Sequence, residues 1–323
     1  MGQAKRKKLV MSQIHQRIRA RLPHLTVLVD TAEAHLDRCT RFLAAAEAVP
    51  IDDTFSFDGV TYRRVITNAA RKDPVYHRIH KALIENLETG ERLDAEFAED
   101  EAFWAWAIIE TLRHTGIRIE ELLEITHLAL SSYRIPKTGE VVPMLQIVPS
   151  KSSQERLLLV APELANVLAR IVSRLRVKNH GAIPPIERYD KHERVTSPPL
   201  PYLFQRMTRG WVSQSISSST VTTLLNKAVA LAGIVDATGE PLRYTAHDFR
   251  RLFTTEAVTG GLPVHIAARI LGHANLATTQ HYLAVFQDDL ITAYRSFLSR
   301  RRSQRPEAEY REPTAEEWKG LSS

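Results

Sequence analysis

Apolar residues recur every three or four positions between residues 24 and 47, which is the spacing of one face of an α-helix. They are Leu25, Leu28, Val29, Ala32, Leu36, Cys39 and Leu43. Proline cannot continue a helix, because it lacks the backbone N–H and clashes with the preceding turn. The pattern therefore predicts one amphipathic helix over residues 24–47 that has ended by Pro50.

The pattern then changes to one typical of strands. The β-prone segments Thr54–Phe57 and Val60–Tyr62 flank the dipeptide Asp58-Gly59. An Asp-Gly pair suits a two-residue turn in which both residues take positive φ, so we expect a β-hairpin here. Residues 66–98 are polar and hold few apolar positions, which favours a linker or an irregular cover.

A buried helix is predicted from Phe103 onward, because the following residues are apolar on every side. Acidic residues at 99–101 precede it, and negative charge is favourable at a helix N-terminus. Gly116 can end this helix in the left-handed conformation. A second helix is expected from Ile119.

The rest of the chain completes a mostly helical outline. The further predicted elements are strands at Val141–Val148 and Arg156–Ala161 joined by a polar turn, a helix at Leu164–Leu175, a proline-rich surface loop over 182–201, helices from Thr220 to about Arg302, and a polar tail. The expected fold class is mainly α with a small antiparallel β-sheet, an α+β arrangement.

Composition narrows the class of protein. The chain of 323 residues is 44% hydrophobic and 25% charged, as is usual for a globular protein. Its longest apolar run covers residues 102–109, far short of the ~18 residues that a membrane helix needs. The single cysteine, Cys39, cannot form an internal disulfide. The basic start is not followed by the apolar stretch of a signal peptide, so we expect no membrane partner and a cytoplasmic location.

Charge is unevenly distributed. The first 25 residues hold seven of the 43 basic residues and none of the 37 acidic ones, so they account for the whole net charge of +6. These residues are Lys5, Arg6, Lys7, Lys8, Arg17, Arg19 and Arg21. A basic arm of this kind can bind a polyanion such as nucleic acid. A solvated terminus is the alternative, and charge alone does not decide between them.

Arg118 lies where a helix is predicted to begin, after the turn Thr115-Gly116-Ile117. A cation opposes the helix dipole at this position, unless an anion binds the same helix start. Arg118 is therefore a candidate anion-binding residue. A simple ion pair with Glu121 or Glu124 is the alternative.

His247 and Arg250 lie three residues apart in the first turn of another predicted helix. Thr245 and Asp248 have the spacing of a capping box, which places the helix start. Helical geometry puts Arg250 near the apolar stripe. We therefore expect Arg250 to be half-buried and to need an anionic partner.

Three more residues complete the candidate chemistry. Gly272 can end a helix over Pro263–Leu271, which would leave His273 beyond the helix end. Tyr282 follows nine residues after His273, and Lys151 lies in the polar turn of the predicted hairpin. Each also has an ordinary explanation: a carbonyl contact for the histidine, a buried ring for the tyrosine and a solvated lysine.

Taken in order, these residues resemble the active site of the tyrosine recombinases, the phage-integrase family. That family has an Arg in a TGxR-like turn, a hairpin Lys, an HxxR pair, an LGH and a Tyr nine residues later. The matching residues here are Arg118, Lys151, His247, Arg250, His273 and Tyr282. The resemblance covers roughly residues 99–303 and implies the tyrosine-recombinase catalytic fold.

The resemblance implies a site-specific recombinase or integrase that cuts and rejoins DNA through a 3′-phosphotyrosyl intermediate. Two arginines would hold the non-bridging phosphate oxygens. Tyr282 would be the nucleophile, a histidine can transfer a proton near neutral pH, and Lys151 would protonate the leaving 5′ oxygen. No cofactor and no metal is expected. The expected partners are double-stranded DNA and further copies of the chain, as a dimer or tetramer on DNA.

The resemblance also suggests a division into domains. Members usually carry an N-terminal helical core-binding domain that closes a clamp on DNA. Residues 1–98 here predict a basic arm, one helix and a hairpin, which we interpret as a reduced core-binding region. Residues 99–303 would form the catalytic domain, and 304–323 a polar C-terminal tail.

Other functions stay open on the sequence alone. A type IB topoisomerase would use the same chemistry to relax DNA without exchanging partners. A non-catalytic DNA-binding relative would keep the fold only. A metal hydrolase built on His77 and His80 lacks the HExxH context that such enzymes use.

Overall fold

The computed structural model describes residues 9, 12–13, 16–67, 82–148, 155–190, 194–207, 212–236, 238–272, 283–304 and 314. Its helices are α1 (Leu25–Glu47), α2 (Ala95–Thr115), α3 (Ile119–Leu123), α4 (Pro162–Lys178), α5 (Ser218–Leu231), α6 (Ala246–Thr259), α7 (Val264–Ile270) and α8 (Leu283–Ser303). Its strands are β1 (Thr54–Phe57), β2 (Val60–Val65), β3 (Leu83–Asn86), β4 (Arg92–Asp94), β5 (Leu130–Arg134), β6 (Val141–Ile147), β7 (Arg156–Leu159), β8 (Tyr189–Asp190), β9 (Val195–Thr196), β10 (Gln205–Met207) and β11 (Ser213–Ser215). The predicted fold class, mainly α with small antiparallel sheets, is confirmed.

Contacts between Cα atoms divide the chain into two compact units. We call residues 23–109 and 223–243 the hairpin unit, and residues 1–22, 110–222 and 244–323 the site unit. No helix within the described ranges is long and apolar enough to cross a membrane. The predicted division at residue 98 into a core-binding region and a catalytic domain stays a prediction.

The hairpin unit confirms the first two predicted elements. Helix α1 buries the predicted apolar face, and β1 pairs with β2 around a turn in which Asp58 has φ 49° and Gly59 has φ 81°. Both residues thus take the positive φ that a type I′ turn requires. The ring of Phe42 on α1 packs edge-on against Tyr62 of β2, with 5.0 Å between the centroids.

The prediction of a linker over residues 66–98 was wrong for its described second half. Strands β3 and β4 extend the hairpin into an antiparallel sheet of order β1-β2-β3-β4. Only Ile84 in these two strands is fully buried, whereas Glu85 and Arg92 form a cross-strand ion pair on the outside. Strands this short and polar carry almost no alternating pattern, which is why the sequence did not indicate them.

Helix α2 also begins earlier than predicted, at Ala95 rather than near Phe103. The carboxylate of Asp94 accepts the backbone N–H of Phe97 at 3.0 Å and so caps the helix start. The first turns of α2 are polar, so the apolar pattern in the sequence begins only near Phe103. The predicted end is confirmed, because Gly116 follows the helix with φ 61°.

The site unit contains the predicted hairpin of β6 and β7, to which β5 adds a third antiparallel strand that the sequence did not indicate. Helix α4 begins at Pro162, a favourable residue in a first turn. The proline-rich loop predicted over 182–201 is confirmed for its described residues, 182–190 and 194–201, apart from the two-residue strands β8 and β9. Helices α6, α7 and α8 lie where helices were predicted, with Gly272 at φ 64° after α7.

Candidate active site

Arg118 directly precedes α3. Its backbone N–H donates to Glu121 Oε2 at 2.8 Å, and its Nη1 donates to Oε1 of the same carboxylate at 2.7 Å. The ion pair considered from the sequence is therefore present. The Arg118 side chain nevertheless keeps 28% of its surface exposed, whereas that of Glu121 is fully covered. Part of the Arg118 side chain is thus accessible to a further anion.

The turn before Arg118 requires a glycine for two reasons. Gly116 has φ 61°, a conformation that residues with a Cβ rarely adopt. A Cβ built on Gly116 would also lie 2.6 Å from Cδ1 of Phe253 on α6. The turn that carries Arg118 consequently packs tightly against the helix that carries His247 and Arg250.

Glu121 is held by a second arginine that the sequence pattern did not single out. Arg156, the first residue of β7, donates from Nη1 and Nη2 to the two carboxylate oxygens of Glu121 at 3.0 and 2.6 Å. Its Nε donates to the carbonyl of Ile270 at 2.8 Å. Burial alone would raise the pKa of Glu121, but the hydrogen bonds and charge of Arg156 lower it overall. The signal in the sequence that could have identified Arg156 was a charged residue at the start of an otherwise apolar strand.

The predicted capping box at the start of α6 is confirmed. The Thr245 N–H donates to Asp248 Oδ2 at 2.8 Å, and the Asp248 N–H donates to Thr245 Oγ1 at 3.3 Å. Reciprocal bonds of this kind fix the first turn of a helix. His247 is exposed on this turn, while Arg250 is only 4% exposed.

Arg250 connects two turns that carry candidate residues. Its Nη1 donates to the carbonyl of Gly116 at 3.0 Å, and its Nη2 donates to the carbonyl of Leu271. The sequence predicted a half-buried guanidinium with an anionic partner. The side chain is instead deeply buried, and the partners found in the described part of the chain are neutral carbonyls. The positive charge of Arg250 is therefore solvated by dipoles and still attracts an anion.

Electrostatics of the site favour a negatively charged ligand. Burial and the nearby charge of Arg118 lower the pKa of Arg250 to about 10, which leaves the guanidinium protonated at neutral pH. Partial burial, together with the charges of Arg251 and Arg250, lowers the pKa of His247. His247 is therefore mainly neutral at pH 7 and able to accept a proton.

The basic arm is described only in part. Lys5, Arg6, Lys7 and Lys8 lie outside the described residues. Arg19 is exposed. Arg17 donates to both oxygens of Asp248, from Nε at 2.5 Å and from Nη2 at 2.8 Å. The Nε of Arg21 lies 3.6 Å from Asp248 Oδ2.

Lys151, His273 and Tyr282 also lie outside the described residues, as do His77 and His80 of the alternative metal site. Their described neighbours are the elements that the sequence predicted. In the sequence, β6 and β7 flank the segment that contains Lys151, α7 and Gly272 precede His273, and α8 begins directly after Tyr282.

Two other tyrosines near the site have structural roles. The Tyr244 hydroxyl donates to the carbonyl of Arg21 at 2.6 Å, and the Tyr294 hydroxyl donates to the carbonyl of His114 at 3.3 Å. Burial raises the pKa of Tyr244, and it raises the pKa of Tyr294 to about 12. Both phenols are thus poor nucleophiles at neutral pH.

The described part of the site can stabilise a phosphodiester. Arg118 and Arg250 supply permanent positive charge, and His247 supplies a neutral imidazole next to them. Such groups fixed in advance stabilise the charge that develops on phosphate oxygens during attack. The arrangement suits proton transfer combined with charge stabilisation.

The sequence matches a known protein family over most of its length. The family model described as "Phage integrase family" matches residues 79–288. Tyrosine recombinase XerD of Caulobacter vibrioides is 30% identical over 183 residues, which is 57% of this chain and 50% of that protein. Transposase B from transposon Tn554 of Staphylococcus aureus is 32% identical over 100 residues, which is 31% of this chain and 15% of the transposase. The chain therefore spans half or less of the length of these relatives.

Solved structures give a weaker likeness. The crystal structure of XerA recombinase is 19% identical, with a TM-score of 0.36, and the match covers 63% of this chain and 59% of that one. XerH recombinase bound to its difH substrate is 14% identical, with a TM-score of 0.37, and the match covers 61% of this chain and 43% of that one.

Proposed function

The chain belongs to the phage integrase family, and on this premise we propose that it cuts and rejoins DNA at specific sites through a covalent phosphotyrosine. The proposal concerns the whole activity: strand cleavage, transient attachment of DNA to the protein, and religation to another strand. Relatives that bear the names of recombinases and of a transposase support it.

One observation carries the proposal. The buried Arg250 guanidinium bonds the carbonyl of Gly116, two residues before Arg118, and the carbonyl of Leu271, two residues before His273. Arg250, itself a member of the family motif, thereby links the two turns that precede Arg118 and His273. Among the described residues, Arg250 donates to neutral carbonyls, so its charge can still attract the negative charge of a phosphate.

We assign the roles as follows. Arg118 and Arg250 hold the non-bridging oxygens of the scissile phosphate. Tyr282 attacks phosphorus and forms the Tyr–O–P bond, while its proton passes to the neutral His247. The bond from phosphorus to the 5′ oxygen breaks, and Lys151 supplies the proton to that oxygen. His273 is the remaining residue of the family motif at the proposed active site. No metal ion takes part.

The partners follow from this chemistry. The substrate is double-stranded DNA, and recombination between two DNA sites requires several copies of the chain, so we propose a dimer or tetramer on DNA. Residues 99–303 would form the catalytic domain and residues 1–98 a reduced core-binding region. We further propose that the protein acts in the cytoplasm.

The decisive variant is Tyr282→Phe. The purified chain first selects its binding site from random DNA, and a nicked suicide substrate is built on that site. We expect the wild-type protein to form a covalent adduct at a 3′ phosphate, in chelator as well as in Mg²⁺. Tyr282→Phe loses one oxygen, so it should keep its DNA affinity and form no adduct.

Tyr244→Phe and Tyr294→Phe are the matched controls and should still form the adduct, since both hydroxyls bond backbone carbonyls. Peptide mapping that places the nucleotide on another residue contradicts the proposal. So does an active Tyr282→Phe protein, or an adduct that needs a divalent ion. Relaxation of a plasmid that lacks the selected site would favour a topoisomerase instead.

A further inference from the structure

Asp248 is a buried carboxylate in the first turn of the helix that carries His247 and Arg250. It is 2% exposed, and its Oδ2 accepts from the backbone N–H of Thr245 at 2.8 Å and from the Thr245 hydroxyl at 2.7 Å. These bonds come from the helix's own cap and satisfy one side of the carboxylate. The other oxygen, Oδ1, faces Arg17.

Arg17 binds this carboxylate as a two-point fork. Nε donates to Oδ1 at 2.5 Å and Nη2 donates to Oδ2 at 2.8 Å, although 231 residues separate the two residues in sequence. Bidentate pairs of this kind fix both position and orientation. Arg251 also approaches Oδ1, but only to 3.8 Å. Within the described residues, Arg17 is therefore the hydrogen-bonding partner that Oδ1 has from outside α6.

The segment that carries Arg17 is fixed at a second point. The Tyr244 hydroxyl donates to the carbonyl of Arg21 at 2.6 Å, and the Arg21 guanidinium lies 5.9 Å from the centre of the Tyr244 ring. Nη1 of Arg21 in turn donates to the carbonyl of Arg17 at 3.2 Å. Residues 17–21 thus lie against the start of α6, with Arg19 between them exposed.

We infer that Arg17 is a positioning residue for the reaction: its fork on Asp248 fixes the first turn of α6 and thereby the placement of His247 and Arg250. The inference rests on the proposed function, because it assumes that these two residues act on DNA. It also divides the basic arm into two parts, since Arg17 and Arg21 serve this chain's own carboxylate, whereas Arg19 faces solvent.

Arg17 affects the pKa of His247 through its ion pair with Asp248. Arg251 and Arg250 on the same helix and Arg118 from the neighbouring turn lower the pKa of His247, while Asp248 raises it. Arg17 neutralises Asp248 and so limits that rise. Loss of Arg17 should therefore increase the pKa of His247.

The experiment uses the full chain and the variants Arg17→Gln, Arg19→Gln and the double variant Arg17→Gln/Asp248→Asn. The first readout is the titration of His247 by NMR without DNA, assigned by the loss of its signal in His247→Gln. Arg17→Gln should raise the pKa of His247, and the double variant should reverse the rise, because the uncompensated carboxylate is gone. Arg19→Gln removes the same charge from the arm and should not shift the titration.

The second readout is the rate of adduct formation at saturating DNA. Arg17→Gln should lower this rate about tenfold, because small misplacements of catalytic groups are costly, and should move the acid limb of its pH profile upward. Its DNA affinity should change no more than that of Arg19→Gln. If Arg17→Gln does not fold, Arg17→Lys replaces it. That variant keeps the charge without the fork, so it should lower the rate with little shift of the His247 titration.

Two results overturn the inference. One is a His247 titration that Arg17→Gln leaves in place. The other is a loss of DNA affinity in Arg17→Gln with an unchanged rate at saturating DNA, which would make Arg17 a phosphate contact. If the wild-type protein forms no adduct at all, the proposed function fails, while the NMR titration still tests the contact between Arg17 and Asp248.

Discussion

Gly116 shows how strongly a single position near the candidate site is constrained. It combines a positive φ with a backbone that approaches Phe253, and its carbonyl accepts from Arg250. Gly139 offers a natural comparison, because it also has a positive φ, but a Cβ added there would meet no other atom within 4 Å.

We expect Gly139→Ala to lower the free energy of unfolding by about 1 kcal/mol, the cost of a left-handed conformation for a residue with a Cβ. Gly116→Ala should cost about 3 kcal/mol, because overpacking against Phe253 adds to the same strain. Urea unfolding of both variants measures the difference. Equal losses would mean that the contact with Phe253 does not constrain the turn.

For individual residues, the sequence reveals contacts within one helical turn but not contacts between distant parts of the chain. The capping box of Thr245 and Asp248 was predictable, because both partners lie within one helical turn. The pairs of Glu121 with Arg156 and of Asp248 with Arg17 were not, since spacing along the chain carries no information about partners 35 or 231 residues away. The helical face of Arg250 predicted half-burial, but its deep burial and its carbonyl partners depend on distant turns.

Helices α2 and α8 are joined by a buried polar cluster. Glu110 accepts from Arg113 Nε at 3.0 Å and lies 3.0 Å from His114 Nε2, while the Tyr294 hydroxyl bonds the carbonyl of His114. Burial, with the charge of Arg113, lowers the pKa of His114 to about 4. Burial alone would raise the pKa of Glu110, but Arg113 and His114 lower it to about 2.

Both shifts predict loss of stability in acid. The unfolded chain protonates His114 near pH 6.5, before the folded protein does, so stability falls as the pH drops from about 6.5 to about 4, by at most about 1.4 kcal/mol per pH unit. Glu110 adds to the loss below about pH 4.5. Melting temperatures between pH 7 and pH 4.5 measure this. His114→Gln should flatten the dependence of the melting temperature on pH. If the melting temperature of His114→Gln depends on pH as steeply as that of the wild-type protein, the assignment is refuted. The control is His265→Gln, at an exposed position.

Elements differed in how well their patterns predicted them. Helix α1 and the hairpin of β1 and β2 have strong periodicity and a turn with a defined chemistry, so both were predicted closely. Strands β3 and β4 are short, mostly polar and stabilised by neighbours in the sheet. Their structure depends on pairing, which local pattern does not record.

At the scale of the whole molecule, the positive charge at the N-terminus is the main electrostatic feature. Arg17 and Arg21 contact Asp248. The candidates that remain for contact with DNA are the exposed Arg19 and the cluster of Lys5, Arg6, Lys7 and Lys8. Replacing only the four residues of that cluster tests the arm without disturbing the contact at Asp248.

We expect the variant with all four residues changed to Gln to bind DNA more weakly and with a flatter salt dependence. Each residue that contacts a phosphate contributes about 0.9 to the slope of log affinity against log salt. Binding measured across a range of roughly 50–200 mM salt gives the number of contacts. Lys137→Gln with Lys178→Gln removes half as many positive charges from elsewhere in the chain and shows the effect of net charge alone. An unchanged slope would mean that these four residues do not contact DNA and belong to a solvated terminus.

The contacts of Arg250 also bear on how the protein is made. Its hydrogen bonds span 134 residues to Gly116 and 21 to Leu271, and Arg17 spans 231 to Asp248. Contacts this distant form only after the intervening chain is available, and closing them is slow compared with forming a helix. A nascent chain that has emerged only as far as Arg118 carries the basic arm but lacks these contacts. If the protein cuts DNA as proposed, the ability to cut therefore arises late in synthesis, and an interrupted translation product lacks the geometry that the proposed reaction needs.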